Sequence, residues 1–190
     1  MEKIVRDMTR TDIETKLSHA LLRSSHDFIR SAVKYANEAD GTSWKFAVLH
    51  LASSIELLLK SKLAEEHWSL VFANPDKASI NNLQIRDFQS VDIDTLQKRL
   101  KDICRIELSD RDTNLIKRLK AIRNKIIHFH IDISKNSIGS LTAQSLNAYI
   151  EFHDKNMAPS WVEHSAFGYG LTRKLTEMNY PAASCEVSNA

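Results

Sequence analysis

The sequence contains little glycine and little proline. Its 190 residues include 4 Gly and 3 Pro, whereas average usage would give roughly 13 and 10. A β-sandwich or β-barrel needs turn-forming residues at short intervals, and a Rossmann or P-loop site needs a glycine-rich loop that approaches a phosphate. Both classes are therefore excluded. Residues 76–138 contain neither glycine nor proline, which favours long helices with few connections.

Cysteines and long apolar runs are also scarce. The two cysteines, Cys104 and Cys185, are too few for a disulfide framework, which favours a reducing, cytoplasmic location. No 18 apolar residues run together, and the first residues contain no apolar signal segment, so we expect neither a membrane span nor a signal peptide. The net charge is only +2, so any affinity for nucleic acid must come from a local cluster of cations.

The composition is that of an ordinary globular protein, with 43% hydrophobic and 26% charged residues. We expect one domain over residues 1–190, with a core at about 9–157 and a C-terminal extension at 158–190 whose last residues are frayed. Apolar residues at helical spacing predict an all-α fold, an up-and-down bundle of four to five main helices plus a short C-terminal segment. The predicted main helices are 11–39, 43–72, 92–106, 109–129 and 140–157, with a long polar connection at 73–90.

Residues 127–133 alternate apolar and polar side chains, which is also a strand signal. A single strand without a partner is unstable, so a helix followed by an extended exit is the preferred interpretation.

The fourth predicted helix is polar on one side and apolar on the other. On a helical wheel with Lys117 at zero, Asn124 and His128 fall within about 20° of Lys117, forming what we call the polar stripe. The predicted core face lies opposite, and its members are Leu115, Leu119, Ile122, Ile126 and Phe129. Arg123 falls on the flank, about 120° from the polar stripe, so it does not face His128 within one helix.

Residues 123–128, with the sequence Arg-Asn-Lys-Ile-Ile-His, carry a family resemblance. They resemble the Arg-x4-6-His motif, with a polar residue after the arginine, of the HEPN superfamily of helical domains. The segment from Glu56 to Lys60 on the second predicted helix is similar to the Glu-x3-Lys segment of many members. The resemblance covers roughly residues 43–157.

The resemblance implies a metal-independent endoribonuclease that needs no cofactor. RNA supplies its own nucleophile, the 2′-hydroxyl, so no metal ion is required. The residues that match the family motif, Arg123, Asn124 and His128, would be the catalytic residues. His128 could move protons and Arg123 could bind phosphate oxygens, while Asn124 would contact the phosphate or hold a neighbour. The family also suggests a homodimer with a composite site, acting as a toxin or antiviral effector controlled by an antitoxin or regulatory partner.

Other positions near the motif have candidate roles. Lys117, Lys120 and Lys125 are candidates for binding RNA phosphates. Glu56 and Lys60 are candidates for holding Arg123 in position without contacting the RNA themselves. Each has a simpler explanation: a solvated face is the usual reason for such a run of cations, and Glu56 and Lys60 are spaced as an i,i+4 helix pair.

The motif residues have simpler explanations as well. His128 would suit the negative end of a helix dipole, Arg123 would suit a flanking surface position, and Asn124 would suit open solvent. Two ligands at His128 and His130 fall short of a metal site, so none is expected.

Some HEPN toxins carry a tyrosine two places after the motif histidine, where a nucleotidyltransferase partner modifies it. His130 stands at that position here, which argues against that form of control. Two other function classes stay open. One is a HEPN-like module that binds RNA, nucleotide or protein without catalysis, and the other is an unrelated helical adaptor.

Overall fold

A computed structural model describes residues 9–38, 42–129 and 135–157. Six α-helices occupy this part of the chain: α1 Arg10–Asn37, α2 Ser43–Glu66, α3 Ile80–Ile85, α4 Ile93–Asp102, α5 Asp110–His128 and α6 Lys135–Asn156. Two 3₁₀ turns, Trp68–Val71 and Pro75–Lys77, lie between α2 and α3. The described residues form no strand, only an isolated bridge between Phe72 and Ser90. The predicted all-α fold class is confirmed.

Side chains at the N-terminal ends explain where two of these helices begin. Thr9 and Asp12 bond reciprocally before α1: the Thr9 hydroxyl accepts from the Asp12 amide, and the Asp12 carboxylate accepts from the Thr9 amide. Asp92 caps α4, because its carboxylate accepts from the amides of Asp94 and Thr95 at 3.0 and 3.1 Å. Hydrogen bonds from Thr95 favour the ionised carboxylate and lower the pKa of Asp92.

Three predicted helix boundaries are wrong. The second predicted helix stops at Glu66 and not at Phe72, because the His67 side chain accepts from the Ser69 amide and starts a 3₁₀ turn. The third stops at Asp102, since Arg105 adopts a left-handed conformation with φ of 57°; Ile103, expected inside, is therefore 47% exposed. The last begins at Lys135, so Gly139 lies inside α6, where it is buried. Packing there outweighs the low helix propensity of glycine.

The described residues group into two compact units, to which α1 and α2 each contribute a part. The first unit contains residues 9–26 and Glu56–Asp110. Its fully buried side chains include Leu58, Leu59, Leu63, Leu96 and Leu100. A further cluster forms around Ala64, Val71 and Phe72, against which Leu17, Leu21, Trp68, Ala78, Leu83 and Phe88 pack. The predicted polar connection at 73–90 therefore contains ordered structure of its own.

Arg99 of α4 holds this connection in place within the first unit. Its Nη1 atom donates to the carbonyl oxygens of Leu70 and Phe72 at 2.5 and 2.6 Å, and its Nη2 atom donates to that of Ala73 at 2.9 Å. The planar guanidinium thus satisfies three backbone acceptors that lie outside the α-helices.

The second unit contains Asp27–Ile55 and, among the described residues, 111–129 and 135–157. Its buried apolar side chains come from all four helical segments: Ile29 and Val33 of α1, Val48 and Leu51 of α2, Leu115, Ile116 and Leu119 of α5, and Leu141, Leu146 and Tyr149 of α6. This core determines which face of α5 is left for solvent. The prediction of one domain over 1–190 stays a prediction, and residues 158–190 lie outside the described part of the chain.

Candidate functional site

The polar stripe lies on the solvent side of α5. Lys117, Asn124 and His128 are exposed, whereas Leu115 and Leu119 are buried at 5% and 2% exposure. The structure therefore agrees with the helical wheel on which side of this helix is polar. The polar side chains of α5 can therefore be reached directly from solvent.

The other cationic candidates are distributed around this stripe. Lys125 is exposed, whereas Lys120 and Arg123 are half-buried on the flank of the helix. Half-burial suits arginine and lysine, because their aliphatic stems can lie on apolar neighbours while the charged ends reach solvent. Arg123 and His128 thus differ in environment, as their divergence on the wheel predicts.

The exposed positions of α5 between 111 and 125 form a surface that we call the basic face. It consists of Arg111, Asn114, Lys117, Arg118, Ala121, Asn124 and Lys125. Four of the seven are cations, and the exposed acid of this helix, Asp110, lies at its first residue. Positive charge therefore predominates along the basic face. Arg111 was not among the candidate residues. Its position on the wheel, near Arg118, was the signal that could have identified it.

The C-terminal end of α5 differs from the prediction. Phe129, assigned to the core face, is 71% exposed, and Ile127 is 53% exposed. The helix ends at His128, although the Phe129 amide still donates to the Lys125 carbonyl at 2.8 Å. Phe129 falls at about 120° on the wheel, at the edge of the apolar range. Because the helix ends at His128, the helical spacing no longer directs the Phe129 side chain towards the core. Its ring lies edge-on to that of His128, with 6.4 Å between centroids.

Glu56 and Lys60, the candidates on α2, form an ion pair in the first unit. The Lys60 Nζ atom lies 2.5 Å from the Glu56 Oε1 atom, and the side chains are 7% and 28% exposed. Nζ also donates to the Ser90 Oγ atom at 3.0 Å. The spacing predicted the helix pair, but the third partner was missed because nothing local in the sequence links Lys60 to Ser90. A role of this pair in supporting Arg123 stays a prediction.

Other chemically active side chains offer little. Burial raises the pKa of the Cys104 thiol to about 11, which disfavours the reactive thiolate. Among the described residues, no three His, Cys, Asp or Glu side chains are grouped closely enough to hold a metal ion. His130 and Cys185 lie outside that part of the chain. None of the described helices is long and apolar enough to cross a membrane.

Comparison of the chain with protein-family models, with curated protein sequences and with solved structures gives no match. The resemblance to HEPN domains therefore rests on the motif residues and their placement on α5.

Proposed function

We propose that the chain is a metal-independent endoribonuclease of HEPN type, a toxin or antiviral effector that cleaves RNA in the cytoplasm under the control of a partner protein. One observation carries the proposal. The motif residues Asn124 and His128 are exposed on the same helix as the basic face, and Arg123 lies half-buried on the flank of that helix. This combination supports the proposal, because a histidine can transfer protons and nearby cations can bind phosphates along one solvent-accessible helix.

The reaction follows from the chemistry of these groups. One His128 imidazole accepts the proton of the 2′-hydroxyl as the O2′ atom attacks the adjacent phosphorus. The bond between phosphorus and O5′ breaks, and O5′ leaves with a proton from an imidazolium. The guanidinium of Arg123 donates to the phosphate oxygens as their negative charge grows. The products are a 2′,3′-cyclic phosphate and a 5′-hydroxyl.

A two-fold dimer supplies the second imidazole. If α5 packs against its copy, one composite site contains two copies of Arg123 and two of His128, which meets the need created by their divergence on one helix. Mixing wild-type chains with an equal amount of His128→Ala chains should then inhibit the wild type. Random exchange puts half of the wild-type chains into mixed dimers with a single imidazole, so about half of the activity should be lost.

The primary test is cleavage of total RNA and of tRNA by the purified full chain in EDTA. We expect cutting that leaves 5′-hydroxyl ends, and a loss of about 10²-fold or more in His128→Ala and Arg123→Ala. Arg23→Ala, which removes an exposed arginine from α1, is the matched control and should cut like wild type. Equal rates in wild type and both motif variants would rule out the nuclease. Salt-sensitive binding with intact RNA would instead identify a binding module.

A further inference from the structure

Phe129 is the most exposed large apolar side chain among the described residues, at 71%. A lone exposed apolar residue needs no explanation on an ordinary surface. The surroundings of Phe129 are not ordinary, because it directly follows His128 at the end of the basic face. An exposed ring beside a proton-transfer group and a row of cations is the arrangement that binds unpaired bases.

The position of Phe129 on the helix strengthens this argument. On the wheel with Lys117 at zero, Lys125, Arg118 and Phe129 lie at about 80°, 100° and 120°, so they form one stripe. All three are exposed. Lys125 lies one turn before Phe129, and the amide of Phe129 is still bound to the Lys125 carbonyl. A strand whose phosphates contact Arg118 and Lys125 would therefore bring a base to the ring of Phe129.

We propose that Phe129 is a base-stacking residue, which holds an unpaired nucleobase next to the phosphate that His128 acts on. This inference rests on the proposed function, since it takes RNA as the ligand of α5. Bases in a duplex are stacked on one another and offer no free face, whereas loops and single strands do. The chain therefore selects single-stranded RNA and RNA loops as its substrate class.

The test measures binding of two oligomers that cannot be cut because their 2′-hydroxyls are methylated. One is an oligouridylate, and the other has the same backbone without bases. We expect Phe129→Ala to weaken binding of the oligouridylate by about five- to 150-fold and to leave the abasic oligomer unaffected. Phe129→Trp should retain binding, and Phe129→Leu should lose it, because leucine is apolar but offers no flat π-face.

Phe46→Ala is the control for losing an exposed phenyl ring. Phe46 is 47% exposed, but its ring packs on Tyr35 at 5.3 Å, and it should not affect either oligomer. Equal binding of the oligouridylate by wild type and Phe129→Ala overturns the inference. An equal loss of binding for both oligomers in Phe129→Ala also overturns it. So does a change of Phe129→Ala from dimer to monomer in sedimentation, because Phe129 would then belong to a contact between two copies of the chain.

The outcomes separate this inference from the proposed nuclease. If Arg123 and His128 are required for cutting but Phe129→Ala binds normally, only the stacking role fails. If the oligouridylate binds through Phe129 while RNA stays intact, only the nuclease fails.

Discussion

The Nζ atom of Lys60 lies 3.0 Å from the Oγ atom of Ser90, thirty residues further along the chain. Lys60 is 6% exposed, and its ammonium is matched by the Glu56 carboxylate one turn earlier. A buried ammonium is costly unless it is paired and hydrogen-bonded, so both partners are needed. Lys60 thereby links α2 to the segment that contains the bridge between Phe72 and Ser90.

Glu56→Gln should destabilise the chain, because it leaves the Lys60 ammonium buried without its carboxylate. The expected loss in the free energy of unfolding is about 1–3 kcal/mol, measured by urea denaturation. The double variant Glu56→Gln with Lys60→Met should recover most of it, since no charge then stays buried. Asp27→Asn, which removes the exposed pair with Arg30 at 64% and 56% exposure, is the control and should change stability by about 0.5 kcal/mol or less. A Glu56→Gln variant as stable as this control would contradict the argument.

Arg99→Lys should destabilise the segment between α2 and α4. Lysine keeps the charge but cannot reach the three carbonyls that the guanidinium binds, so we expect a loss of about 1–3 kcal/mol. Hydrogen exchange should speed up at the amides of Ala73 and Val91, which donate to Gln89 and Val71. Arg30→Lys, at an exposed site, serves as the comparison. Unchanged exchange in Arg99→Lys would show that the three hydrogen bonds do not hold the segment.

Stability should fall as the pH decreases through the range in which histidine titrates. The His50 ring lies between those of Phe28 and Tyr35, with centroids 5.2 and 5.3 Å away, and burial lowers its pKa below the ordinary 6.5. Its Nδ1 atom is buried and has no hydrogen-bond partner among the described residues. Burial also lowers the pKa of His19.

The sign follows from proton binding. A lowered pKa means that the unfolded chain takes up protons first, so stability is full above about pH 7.5 and is lost as the pH falls through 6.5 towards the lower folded value. Urea midpoints measured between pH 8 and pH 5.5 should fall in wild type. The decrease should be smaller in His50→Phe, which fits the aromatic neighbours without titrating. An identical pH dependence in both proteins would exclude His50 as a contributor.

Lys117→Ala should reduce the salt dependence of RNA binding. Each phosphate contact that is lost should lower the slope of log K against log salt by about 0.7 for a single strand. Lys98→Ala, at an exposed position on α4, is the matched control because it removes the same charge away from the basic face. Anisotropy titrations at several salt concentrations give both slopes. If the two variants have equal slopes, Lys117 does not contact the phosphate chain.

The sequence predicted the polar side of α5 but not the detail at its end. Periodicity identifies Lys117, Asn124 and His128 as a stripe opposite Leu115 and Leu119, because a helix keeps its angular spacing whatever surrounds it. Phe129 shows the limit of this reasoning. Whether an apolar residue is buried depends on where the chain leaves the helix, and that depends on packing beyond the helix itself.

Scarce glycine and proline, together with helical spacing, were sufficient to determine the all-α class and most of the long helices of the described chain. Local signals also predicted the pair between Glu56 and Lys60. Only the tertiary structure decided that Lys60 binds Ser90, that Arg99 binds three backbone carbonyls, and that Gly139 lies inside a helix. Each of these depends on groups that are distant in sequence or on packing against other helices, and neither a wheel nor a propensity contains that information.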